Sequence, residues 1–146
     1  MFYIKAKKKG IKPIIGVELS LAPNGMLNKR PRIDDKRYHI LLLAENNTGY
    51  KNLLKLVTLA HIEGYYYKPR IDKEALKKYS EGLIASSACI GGEIPKAVLA
   101  GKMDKAEKLA LEYQDIFGAG NFFLEIGDHP QIPEQKISND GLIEIS

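Results

Sequence analysis

The sequence predicts an α/β domain with mostly parallel strands covered by helices, and three observations carry that prediction. Strand-like and helix-like segments alternate along the chain, the pattern of a parallel sheet with crossover helices. The strand candidates contain the near-continuous apolar runs IIGV, ILLLA and GLIA, which suit strands buried on both faces. A length of 146 residues, 45% of them hydrophobic and 27% charged, suits one domain with a substantial core.

The opening run MFYIKAKKKG reads as the middle of a helix, with no N-cap before it. Residues 12–21 read as a first strand, rich in the β-branched residues Ile14, Ile15 and Val17. A polar loop spans 23–37, marked by Asn-Gly at 24–25 and by Pro31. Residues 38–44 form a second strand. Over 48–62, Leu53, Leu56, Val57 and Ala60 repeat at helical spacing, and Gly64 stops the helix. A short helix follows over 72–79 with Asp72 as its N-cap. Residues 83–87 make a third strand. The helix over 94–99 carries Pro95 in its first turn, where a missing N–H does no harm. The clearest helix is 104–117: Asp104 caps it, Glu107 takes the capping-box place and Gly118 ends it. Residues 121–126 form a fourth strand, and 133–145 open as a turn and continue as helix.

Composition narrows the function classes. The net charge is +4, with basic residues gathered in KAKKKGIK and NKRPRIDDKR. That balance is compatible with nucleic acid, yet lysine-rich faces are commonly only solvated. There is no RNA-recognition signature, zinc-finger spacing or basic heptad run, and the eight tyrosines do not interleave with the basic residues as a stacking platform would. No apolar run approaches the ~20 residues of a membrane span, and no apolar signal segment follows the basic start. No membrane partner is expected, and a cytoplasmic location is. The single Cys89 cannot form an internal disulfide, which leaves it free as a thiol or metal ligand.

The run GLIASSACIGGEIPKAV, residues 82–98, is the most informative. A strand ends in two serines and the cysteine, and a Gly-Gly pair then allows other groups to approach closely before a helix begins. Four further blocks accompany it in order: IKPIIGVELSLAP at 11–23, YHILLLAENNTGYKNL at 38–53, EGYYYKPRID at 63–72 and GNFFLEIGDHPQIPEQ at 120–135. Together the five blocks resemble the polymerase-and-histidinol-phosphatase (PHP) domain of the bacterial DNA polymerase III alpha subunits.

The resemblance implies part of a distorted (β/α)7 barrel. The family's His-x-His and Asp-His pairs cannot be placed here, so residues 1–146 are expected to be an internal fragment of a single PHP domain. Raw sheet edges in such a fragment imply possible self-association. The resemblance also implies a DNA-directed DNA polymerase as parent, with DNA, the proofreading exonuclease subunit and other holoenzyme subunits as partners. Within it the PHP domain serves either as a metal-dependent 3′–5′ exonuclease or as a scaffold. A free-standing PHP phosphatase is the alternative. The polymerase's own acidic residues lie in a palm domain outside these blocks, so no catalytic residue is expected in this chain, and alone it is expected to be inactive.

Three residues carry the metal expectation: Glu18 at the end of IKPIIGVE, His39 in YHILLLA and Cys89 in SSACIGG. Carboxylate, imidazole and thiolate from separate strand ends are what a divalent metal requires, and in the family zinc is the usual one. Taken singly, each has an ordinary role, as a surface acid, a satisfied histidine or an inert small apolar residue. His39 also begins its strand, whereas barrel sites sit at the C-terminal ends of strands. With part of the ligand set absent, the site in this chain is expected to be empty or weakly filled. Asp128 and His129 read as shaping the turn before Pro133, and His61 has no partner at metal spacing. In YYYKPR, Lys68 and Arg70 could meet a phosphate, but a packed tyrosine cluster with solvated basic residues is the simpler expectation.

Overall fold

The computed structural model describes residues 2–146. Helix α1 (Phe2–Lys8) leads into β1 (Gly16–Leu21), and a long loop precedes β2 (Tyr38–Ala44). There follow α2 (Asn47–Ile62), the two-residue β3 (Arg70–Ile71), α3 (Lys73–Lys78), β4 (Leu83–Ser86), α4 (Glu93–Leu99), α5 (Met103–Phe117), β5 (Phe122–Phe123) and α6 (Pro133–Glu144).

Local chemistry starts most of these elements where the sequence suggests. The Asn46 side chain accepts a hydrogen bond from the Gly49 amide and opens α2, and Asp72 accepts from the Ala75 amide and opens α3. Helix α5 differs. It begins at Met103 because Gly101, at φ 66°, turns the chain directly out of α4, and the Ala106 amide already donates to the Lys102 carbonyl. Asp104 therefore lies inside the first turn, not at the cap, where its charge still meets the positive end of the helix. The strands expected over 12–21 and 121–126 shorten to Gly16–Leu21 and Phe122–Phe123.

The five strands form one sheet in the order β3-β1-β2-β4-β5. The sheet is mixed, which corrects the expectation of mostly parallel pairing. β1 pairs with β3 in parallel, as β4 does with β5, but both ladders of the central β2 are antiparallel, and they are the longest in the sheet. The departure comes from one strand. A parallel neighbour needs a crossover, usually a helix, and the connection between β1 and β2 is a loop that returns the chain in the opposite direction.

The apolar runs are buried on one face only. Leu19, Leu21, Ile40, Leu42, Leu83 and Ala85 point into the core, against Leu53, Leu56 and Ala60 of α2, Leu76 of α3 and Ile94 and Val98 of α4. The opposite face, with Glu18, Ser20, His39, Leu41, Ile84 and Ser86, carries no such cover and is exposed or half-buried. The edges, β3 and β5, are two residues long each, which leaves little strand for another chain to pair with.

The β1–β2 loop is held from below. Arg70 is fully buried, and its guanidinium donates to the carbonyls of Gly64 (3.1 Å), Asp34 (2.9 Å), Met26 (3.0 Å) and Asn28 (3.0 Å). This overturns the expectation that Arg70 is solvated. Among the described residues no carboxylate pairs with it; the loop's main chain wraps it instead, and burial pushes the guanidinium down from its ordinary pKa, with Asp34 opposing.

Asp34 closes the same loop. Its carboxylate, buried, accepts from the Arg30 amide (2.9 Å), the Arg30 guanidinium (2.8 and 3.1 Å) and the Asn24 side chain (3.1 Å). These bonds, the Arg30 side chain first, hold the Asp34 carboxyl well below the usual carboxylate range. A depressed folded pKa stabilises the fold above the unfolded value of about 4, and the contribution is lost as the pH falls from there toward the folded value. Thermal melts from pH 6 to pH 2 are expected to show a steeper acid loss in the native chain than in Asp34→Asn. Parallel curves for the two would remove Asp34 as the titrating group.

Candidate metal centre

Glu18 lies in the middle of β1, His39 at the second residue of β2 and Cys89 just past β4. Sheet register brings them together. Ser20 pairs with His39 and Glu18 with Leu41, so Glu18 and His39 are diagonal neighbours on the uncovered face, within reach of long side chains. Leu41 pairs in turn with Ser86, which puts the end of β4 beside the start of β2.

The reversal of β2 explains the placement of His39. Because β2 runs against β1 and β4, its first residues lie level with their last. A histidine at the wrong end of a parallel strand is at the right end of an antiparallel one.

Cys89 is aimed by a strained turn. Ala88 sits at φ 56°, a left-handed conformation rare outside glycine, and the Gly92 amide closes the turn onto the Cys89 carbonyl at 2.8 Å. The glycine pair then runs alongside β2, with the His39 amide donating to the Gly91 carbonyl at 3.0 Å. A Cβ at Gly91 would lie 2.8 Å from His39 Nδ1, so glycine is what leaves the imidazole room.

The three donor atoms lie within 4.8 Å of one another. His39 Nδ1 is 3.3 Å from Glu18 Oε1 and 3.4 Å from Cys89 Sγ. One ring nitrogen holds at most one proton and cannot donate in line to both partners. A shared cation satisfies all three. Zinc at ordinary bond lengths in a tetrahedral shell separates N from O and N from S by about 3.4–3.6 Å, close to what these side chains already show. The donor set therefore fits a zinc-like divalent metal. Among the described residues no other group of three His, Cys, Asp or Glu side chains converges in this way.

Two neighbours went unnoticed in the sequence. Ser86 Oγ donates to Glu125 at 2.5 Å, and Glu125 and His129 line a small cleft on the far side of Cys89. The pairing of Ser86 with Phe123 across a two-residue strand sets that contact, and no local spacing announces it. His129 keeps the role expected of it: its carbonyl accepts from the Ile132 amide and shapes the turn before α6. His61 is exposed on α2, bonded to the Val57 carbonyl, and belongs to no convergent group of three donors among the described residues.

Comparison with known proteins places this architecture. The model of the PHP domain matches residues 1–129. The chain is 49% identical over 146 residues to the DNA polymerase III subunit alpha of Borreliella burgdorferi, covering 99% of this chain and 13% of that protein. It is 44% identical over 131 residues to the subunit of the same name from Treponema pallidum, covering 89% of this chain and 11% of that protein. It is also 44% identical over 147 residues to that of Thermus aquaticus, at 99% and 12%. The chain thus spans about an eighth of the length of the curated relatives it matches.

Proposed function

This chain belongs to the PHP-domain family, and on that premise we propose that it is part of a bacterial DNA polymerase III alpha subunit whose Glu18, His39 and Cys89 hold a divalent metal for hydrolysis at a DNA 3′ end. The observation that carries this reading is the convergence of carboxylate, imidazole and thiol from three strands onto one point of the uncovered sheet face. When bound there, a divalent metal supplies Lewis acidity toward a phosphate oxygen and lowers the pKa of a bound water. Glu18 and His39 are about half exposed, 48% and 42% by side chain, so a phosphate can approach them directly. Glu125, bonded to Ser86, adds an acceptor on the cleft side.

In the same reading the uncovered face is the inner wall of a distorted (β/α)7 barrel, and residues 1–146 are an internal stretch of that domain. The half-buried Leu41 and Ile84 beside the donors support this, since apolar groups on a final surface are otherwise poorly used. DNA and the other holoenzyme subunits, the proofreading subunit among them, are the partners of the whole polypeptide. A second reading is a scaffold that supports the polymerase and docks the proofreading subunit.

The test separates the two. In the alpha subunit carrying this chain, Glu18→Ala is expected to lower metal-dependent release of 3′ nucleotides at least about 100-fold while primer extension continues. Release at an unchanged rate in that variant would overturn the nuclease reading and leave the scaffold.

A further inference from the structure

The turn at Tyr65, Tyr66, Tyr67 and Lys68 and the β1–β2 loop form one rigid surface beside the metal centre. Arg70 joins them, since its guanidinium bonds the Gly64 carbonyl on one side and those of Met26, Asn28 and Asp34 on the other. Tyr66 turns inward, its ring 5.0 Å from the Arg70 guanidinium. Tyr65 and Tyr67 remain 54% and 65% exposed. Tyr67 is held at φ 58° by the bond from the Tyr66 amide to the Lys68 carbonyl, a conformation that persists in a non-glycine residue only where its surroundings impose it. Two aromatic rings are thus presented to solvent on a fixed mount.

Their setting is cationic. Arg30 and Asp34 neutralise each other, which leaves Lys29, Arg32, Lys36, Arg37 and Lys68 against the carboxylates of Asp35, Glu63 and Asp72, the last already bonded to the Met26 amide. Arg70 bonds the Asp34 carbonyl at 2.9 Å and lies 5.0 Å from the Tyr66 ring, so the loop's end, with Asp35 and Arg37 next in the chain, lies near the tyrosine turn. The surface also lies beside the metal centre. Ser20 pairs with His39 on one side and with Arg70 on the other, so the two share one face and one end of the sheet, about 10 Å apart at two strand spacings.

We propose that this surface binds single-stranded DNA, with Tyr65 and Tyr67 stacking on unpaired bases and Lys36, Arg37 and Lys68 meeting phosphates, and that it leads a 3′ end toward Glu18, His39 and Cys89. Exposed rings flanked by cations suit a single strand, whose base faces are open, better than a duplex, whose faces are stacked away. The destination of the strand rests on the proposed function; the binding itself does not.

The full chain is titrated into fluorescein-labelled dT20 with EDTA present, and anisotropy is read. Tyr65→Ala/Tyr67→Ala is expected to weaken binding about 10-fold or more, and Tyr65→Phe/Tyr67→Phe to retain it. Lys36→Ala and Arg37→Ala should each flatten the dependence of log K on log salt by about 0.7. Because EDTA is present throughout, a failed metal centre leaves this result standing. Equal binding by the double alanine variant would overturn the proposal. So would equal loss in the double phenylalanine variant, a duplex bound as tightly as the single strand, or poly-glutamate bound with the same dependence on the tyrosines.

Discussion

Arg70→Ala is expected to lower the stability of this chain by about 4 kcal/mol or more, the largest effect of any single substitution considered. The substitution leaves four carbonyl oxygens of buried or half-buried main chain without their donor, and each such loss costs on the order of 1–3 kcal/mol. Water entering the vacated space offsets part of this, which keeps the figure below the full sum. The Tyr66 ring also loses the cation beneath it. Arg70→Lys should recover only a fraction, because an ammonium has three donors and no planar fork to reach acceptors on both sides of the loop. Thermal melts are expected to show Tm falling by about 10 °C or more in Arg70→Ala. A fall of less than about 2 °C would mean that the loop holds its shape without the arginine.

The second large effect is on metal affinity. His39→Ala is expected to weaken zinc binding by more than about 100-fold, since removing even a supporting partner of a ligand commonly costs about 10–100-fold. His39 is the donor that faces both others, so its loss leaves Glu18 and Cys89 without the atom that joins them. Competition with a chromophoric chelator measures the affinity, and His61→Ala, outside the convergent group, should match the native chain. With cobalt in place of zinc, the sulfur-to-metal charge-transfer band should vanish in Cys89→Ser. Zinc affinity unaltered in His39→Ala would strike His39 from the ligand set.

Most elements were legible in the sequence, as were the three side chains that converge on the sheet, but the two-residue β3 and the direction of β2 were not. Helical spacing located α2, and Asp72 announced α3, because both are signals carried by neighbours in the chain. ILLLA could not reveal whether β2 runs with its neighbours or against them. Direction depends on the connection, and the polar loop before it held that information. The same misreading made His39 seem misplaced. Arg70 failed for a related reason. Its four acceptors are main-chain carbonyls 6 to 44 positions away, and no residue type in the sequence marks a carbonyl. Asp104 was misread on a narrower point, since the Gly101 turn, and not a side chain, decides where α5 begins.

The acceptors of Arg70 have a consequence for how this region can change. Every contact that fixes the β1–β2 loop to Arg70 is made to its peptide groups, which all residues share. Leu27, Lys29, Arg32 and Ile33 are exposed and take no part in the grip. The loop's shape and its side-chain chemistry are therefore under separate control. Substitutions along it can alter charge, size or polarity while the backbone stays clamped, provided Asp34 keeps its bonds to Arg30 and Asn24 and Asp35 keeps its bond to the Arg32 amide. Such a segment is a fixed bracket with interchangeable fittings, suited to adjusting what it touches without reopening how the domain folds.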